Sequence, residues 1–321
     1  MIFMEQINKN IHAYATYPRQ FSPYKWYKPL LVGLIGIVMY FIASSILALC
    51  GYAINIMKGM GTEALSGMMS GGYDTMNTYT AAGAIISLGS IAVIIPVLML
   101  ANRIINSRPF SSYSSSRGGF DFKVFFKCLL AALVLVGIPL TIHTLFFDQH
   151  SGIVQFTVVG FILCTILVPL QCVAEEYFTR GYLLQTFGSW FKIPVLAIIL
   201  QAVIFAALHP YNIIGVISTL ISGLTFGFCV YITNGIEASS AMHIVNNMLA
   251  FYFAGFGLGA IHTNVDIPSF IMDIFVCVLY LAFIIFADKK LGWFNHKKKD
   301  DVSEFNAKIE AKRAAKAAKA A

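Results

Sequence analysis

Charge is what this chain has least of. Of its 321 residues only 12% are Asp, Glu, Lys or Arg, while 58% are hydrophobic and the mean hydropathy is +0.75. An ordinary soluble domain carries about twice that share of charge. A water-soluble fold of this composition would expose far more apolar surface than water tolerates, and a disordered chain needs the opposite balance. Paired cysteines are lacking too. Cys50, Cys128, Cys164, Cys172, Cys229 and Cys277 all fall in apolar stretches without CxxC spacing, which excludes a disulfide scaffold and a zinc module. No cleavable leader is read, because polar and aromatic residues precede the first apolar run. The HExxH and GxSxG motifs do not occur. What remains is an all-α, polytopic membrane protein.

A membrane-crossing helix needs about 20 mostly apolar residues. Eight stretches qualify: 30–56, 80–101, 124–147, 153–174, 193–209, 213–233, 237–258 and 268–287. The fifth is the shortest and meets Pro210. The fourth keeps helical composition through Glu175–Phe191 and reads as a helix that runs on. No internal repeat and no soluble domain is found. The chain divides into an N-terminal segment (1–29), a helical membrane domain (30–287) and a basic tail (288–321).

The formal charge of +7 belongs mostly to that tail, whose residues 289–321 hold ten Lys or Arg against four Asp or Glu. It comes with no nucleic-acid recognition motif, so no nucleic-acid partner is expected. A solvated tail is the main reading, and attraction to anionic headgroups the lesser one. Its end, AKIEAKRAAKAAKAA, reads as a frayed helix or disorder. Cations also mark the N-terminal segment (Lys9, Arg19, Lys25, Lys28) and the second loop (Arg103, Arg108, Arg117, Lys123), whereas loops 57–79 and 148–152 hold only Lys58. By the positive-inside rule both termini are cytoplasmic.

Ionisable groups at membrane depth need a reason. Lys127, His143 and Asp273 lie within a turn or two of a span end and read as interfacial. The sequence AEEYFTRGY is different. Glu176 and Arg180 are four apart and face each other on a helix, which leaves Glu175, about 100° around, free to point elsewhere. His209 closes the apolar run FAALH. His243 and Asn247, also four apart, share one stripe of the seventh stretch and must face protein or a cavity; Asn246 points elsewhere. A carboxylate, two imidazoles and an amide are an inventory for hydrolysis: a base for water, an acid for the leaving amine and donors for an oxyanion. No Ser, Cys or Thr stands beside a candidate base, so a covalent nucleophile is not the first reading.

Glu175–Glu176–x–x–x–Arg180, Phe205–x–x–x–His209 and His243–x–x–x–Asn247 resemble, in order and in position beside their spans, the three motifs of the CAAX protease and bacteriocin-processing (Abi) family. The eukaryotic type II CAAX prenyl endopeptidase is a member. The resemblance covers roughly residues 150–255, including the Gly-rich sixth stretch. It implies an intramembrane glutamate endopeptidase. Glu175 would be the base that activates water, helped by His209; His243 and Asn247 would line the oxyanion site; Glu176 and Arg180 would hold Glu175 in place.

One Glu and two His also match a catalytic zinc set in residue type. The resemblance points instead to metal-free activation of water, with zinc the alternative and no cofactor expected. The partners implied are the bilayer and a membrane-associated or prenylated peptide or protein substrate, and the location a bacterial cell membrane. A non-catalytic immunity or regulatory scaffold is the competing reading. A transporter is disfavoured by the lack of an inverted repeat. The chain ends in AKAA and is not expected to be a prenylation target itself.

Overall fold

Side-chain caps start most of the helices. The hydroxyls of Thr80 and Thr157, the carboxylates of Asp121 and Asp266 and the amide oxygen of Asn212 each accept a backbone N–H from the first turn that follows. Residues in the left-handed region close several ends: Asn106, Lys192, Asn234 and Gly292. The computed structural model describes residues 14–59, 77–148, 150–259, 264–295 and 298–320; Lys9 and most of the loop 57–79 lie outside them.

Among the described residues nine long helices result. They are α1 (Lys28–Met57), α2 (Ala81–Ile105), α3 (Phe122–Phe147), α4 (Val158–Phe191), α5 (Pro194–Ala207), α6 (Ile213–Thr233), α7 (Glu237–Gly255), α8 (Ile267–Leu291) and α9 (Asp301–Ala320). Among the described residues there is no strand, only an isolated bridge between Ser115 and Gly235. Each of the eight expected stretches is helical. Among the described residues six helices, α1–α4, α6 and α8, are long and apolar enough to cross a membrane. The other two are α5, which has 14 residues, and α7, which has 19 with Glu237, Ser239, Ser240, His243, Asn246 and Asn247 among them. The protein is an all-α, integral membrane protein.

The core gathers α3, α6, α7 and α8 around buried Phe226, Cys229, Ala238, Ala241 and Tyr280. By contrast α1 packs chiefly on α2 and leaves Leu34, Phe41 and Leu49 largely exposed, as lipid contact requires. The cysteines are free, all buried but Cys50.

The N-terminal segment, the loop 106–121, the α4–α5 and α6–α7 turns and the tail all meet on one face. Tyr14 donates to the Tyr113 carbonyl, Arg19 to that of Ser189, Ile236 N–H to that of Ser114 and Lys298 N–H to that of Arg117. The tail is helical to Ala320 instead of frayed, because its first turns are docked: Phe305 packs edge-on against Phe21 at 5.6 Å, and Asn306 bonds Ser22 and Gln20. The stretch with disorder-prone composition begins only after those contacts.

The face just described also holds α4 closely. α4 passes the loop at Gly181, where a Cβ would stand 2.8 Å from the Tyr113 carbonyl oxygen, and runs on to pack Gly188 against Ala15.

Candidate active site

α4 changes its winding at the site. It is α-helical to Glu176, π-helical over Tyr177–Leu184 and α-helical again over Gln185–Phe191. Wider π turns are a common feature of functional sites. Here the change begins directly after the two glutamates.

The expected Glu176–Arg180 pair forms, with Arg180 Nη1 3.0 Å from Glu176 Oε1 and both side chains fully buried. The guanidinium lies over the rings of Phe205 (4.5 Å) and Phe226 (4.9 Å), which meet each other edge-on, and it also donates to Thr179 and to the Gly223 carbonyl. Two aromatic faces and a carboxylate together give a buried cation the partners it needs. Glu176 Oε1 has a second contact: His243 Nδ1, also at 3.0 Å. Sequence reasoning assigned Glu176 to holding Glu175; the structure puts it on the imidazole of α7.

His243 is therefore gripped from both sides of the glutamate doublet. Its Nε2 lies 3.4 Å from Glu175 Oε2 and 3.4 Å from Asn247 Nδ2, while the Phe226 ring stacks on its face at 5.1 Å. Glu175 Oε1 accepts from Gln171 Nε2, and Gln171 Oε1 faces the Asn247 amide at 3.5 Å. Asn246 donates to Asn247 Oδ1. Glu176, Arg180 and His243 are buried, whereas Glu175 and Asn247 are partly exposed. The side of the cluster that faces outward is thus the one bearing Glu175.

His209 is placed differently. Its Nδ1 donates to the Phe205 carbonyl at 2.7 Å, and its ring packs 4.7 Å from the Phe205 ring, which in turn lies 5.9 Å from His243. Both imidazoles therefore border the Phe205 ring. Among the described residues His209 forms no ion pair with Glu175. Of the four residues expected to carry the chemistry, Glu175, His243 and Asn247 meet directly and His209 borders them.

Residues 154–249 match the family described as type II CAAX prenyl endopeptidase Rce1-like. The chain carries an Rce1-like segment. The three motifs and every residue of the cluster fall inside it. The chain is also 32% identical over 171 residues to YyaK of Bacillus subtilis (strain 168), a protein whose printed name calls it uncharacterized; the alignment covers 50% of this chain and 57% of that one. The chain thus spans little more than half the length of that curated relative. No solved structure matches.

Within the Rce1-like segment, sequence reasoning passed over Gln171, Phe226 and Gly223. Gln171 was findable: it stands four residues before Glu175, as Asn247 stands four after His243, and the same facing rule applies. Phe226 and Gly223 carry no local signal, since an aromatic or a glycine on an apolar helix reads as packing. Of the bordering residues, His143 lies 3.6 Å from Asp148 at the end of α3, and Asp273 accepts from Ser218. Neither joins the cluster. Among the described residues no three His, Cys, Asp or Glu side chains are grouped as a metal would require; Glu176 and His243 are already bonded to each other.

Proposed function

We propose that this protein is an intramembrane glutamate endopeptidase that hydrolyses a peptide bond of a membrane-associated or prenylated peptide or protein. The observation that carries the reading is the grip of Glu175 and Glu176 on the two nitrogens of His243, inside a segment similar to prenyl endopeptidases.

Glu175, whose side chain is partly exposed, takes a proton from water, and the oxygen adds to the carbonyl carbon of the scissile bond. The negative charge moves to the carbonyl oxygen, where the Asn247 amide donates and His243, when its ring carries both protons, donates from Nε2. When the tetrahedral species collapses, the C–N bond breaks and the proton held by Glu175 passes to the leaving amine. With Nδ1 committed to Glu176, Nε2 is the ring atom of His243 turned towards Glu175 and Asn247. Glu176 and Arg180 act through the imidazole. His209, anchored by Phe205, offers its remaining nitrogen beside that ring and assists Glu175 once substrate bridges them. Water activation proceeds without a metal. The protein sits in a bacterial cell membrane with both termini cytoplasmic, a reading supported by the cation-rich face on which the N-terminal segment and the tail meet.

The test compares membrane peptidomes of strains carrying the wild type and Glu175→Gln at equal protein levels. Fragments that vanish, with their precursors accumulating, are the expected result and also identify the substrate. Identical peptidomes would overturn the enzyme reading in favour of a non-catalytic scaffold.

A further inference from the structure

The tail helix docks through one stripe and then changes chemistry along it. Val302, Phe305, Asn306 and Ile309 are the half-buried positions of α9 before its fully exposed end. They recur at the three- and four-residue spacing of one helix face. The next positions on that face are Arg313 and Lys316. The apolar stripe that fixes the helix to the N-terminal segment thus runs on as a cationic one.

The docked contacts of Phe305 and Asn306 lie on Gln20, Phe21 and Ser22, and the cations Lys25 and Lys28 follow within six residues of Ser22. The charges of Arg313 and Lys25 act on Lys28, the first residue of α1. Lys28 itself donates only to a neutral group, the Asn106 carbonyl at 3.3 Å. No carboxylate of the described residues forms an ion pair with Lys25, Lys28 or Arg313. Like charges brought together by a docked helix oppose that docking unless an anion lies between them. The place is also marked by aromatics. Trp26 and Tyr27 are 63% and 44% exposed immediately before a membrane-crossing helix, where such side chains occupy the headgroup layer. The Trp26 backbone is pinned by the Trp190 indole, which donates to its carbonyl at 2.8 Å.

We propose that Lys25, Lys28, Arg313 and Lys316, flanked by Trp26 and Tyr27, form a binding seam for the phosphate of an anionic lipid headgroup, which completes the docking of the tail helix against the start of α1. Height selects a lipid over a soluble anion: the seam lies where α1 enters the membrane, so its ligand is presented by the bilayer. The seam does not depend on the proposed peptidase activity.

The experiment uses the full chain in nanodiscs of phosphatidylcholine alone or with increasing phosphatidylglycerol, and follows amide hydrogen exchange over residues 307–318. Phosphatidylglycerol is expected to slow exchange in this stretch. Arg313→Gln and Lys316→Gln should each weaken the apparent lipid affinity roughly fivefold, about the worth of one cation near an anionic surface. Lys308→Gln, on another face of the helix, should leave it unchanged; all three positions are exposed on α9, so folding is not at stake. Inorganic phosphate added to phosphatidylcholine discs should have no effect. Equal exchange with and without phosphatidylglycerol, an equal loss from Lys308→Gln, or protection by free phosphate would each overturn the proposal.

Discussion

Arg117–Glu237 and Arg180–Glu176 are both buried arginine–glutamate pairs, at 2.6 and 3.0 Å. In the first, the carboxylate spreads its contacts over both oxygens: Oε2 takes the guanidinium and Oε1 the Asp121 backbone N–H at 2.8 Å. In the second, one oxygen, Oε1, serves both Arg180 and a histidine. Glu237 also opens α7, where the helix dipole favours a negative charge. It ties the loop 106–121 to the helix that carries His243. The same chemistry thus fastens one end of α7 and orients a side chain six residues further along it. A buried ion pair reports its purpose by what else its carboxylate touches.

The largest expected effects break this comparison on the catalytic side. Glu175→Gln and His209→Ala should each lose hydrolysis by about 10²-fold or more. Glu176→Gln should lose less, since the amide oxygen still accepts from His243 Nδ1. Turnover assays on each purified variant, with folding checked by thermal melts, decide the matter. Equal and complete loss at both glutamates in folded protein would erase the division of roles.

Next comes stability. Arg180→Met leaves the Glu176 carboxylate buried without its cation and should cost about 3–5 kcal/mol. Arg117→Met should cost less, because the Asp121 N–H still serves Glu237. Melting of the detergent-solubilised variants ranks the two, and the reverse order would mean that the loop fastening matters more than the site.

The helix spacing made part of this site legible. Glu176–Arg180 and His243–Asn247 are pairs within one turn of one helix, so a four-residue offset announces them. The long α4 was readable because Glu175–Phe191 contains no proline. The contact between the two pairs was not readable, since nothing in either stretch records that Glu176 sits opposite His243 across α4 and α7. The course of α4 past the loop was hidden for a related reason: it is fixed by Gly181 and Gly188 meeting backbone from Tyr113 and Ala15. Docking of the tail was masked by its composition, which turns low in complexity only after Phe305 and Asn306 have made their contacts.

Smaller effects sharpen the contrast away from both pairs. Asp266 caps α8, and hydrogen bonds from the Ser269 hydroxyl and backbone N–H hold its carboxyl below the usual Asp value. A depressed value contributes stability at pH above the ordinary Asp range, and that contribution is lost as pH falls through the lowered value. Asp266→Ala should therefore cost about 1 kcal/mol near neutrality and progressively less in acid, measured as melting temperature against pH. The smallest effect is expected from chelators. EDTA and phenanthroline should leave turnover unchanged, and tightly held zinc whose removal and return switch activity off and on would reverse that reading.

The π-helical section Tyr177–Leu184 acts as a rotational offset between the two ends of α4. Each such turn takes up about one residue more than an α turn. Wound as α-helix with the same number of residues, this section would swing Gln185–Phe191 by about 100° or more relative to Gln171–Glu176. Ser189 would leave Arg19, and Gly188 would leave Ala15. The winding between the glutamates and the N-terminal contacts is therefore as constrained as the residues' identity. A one-residue insertion in this stretch should be tolerated far less well than a one-residue deletion, which the wide turn absorbs by rewinding as α-helix.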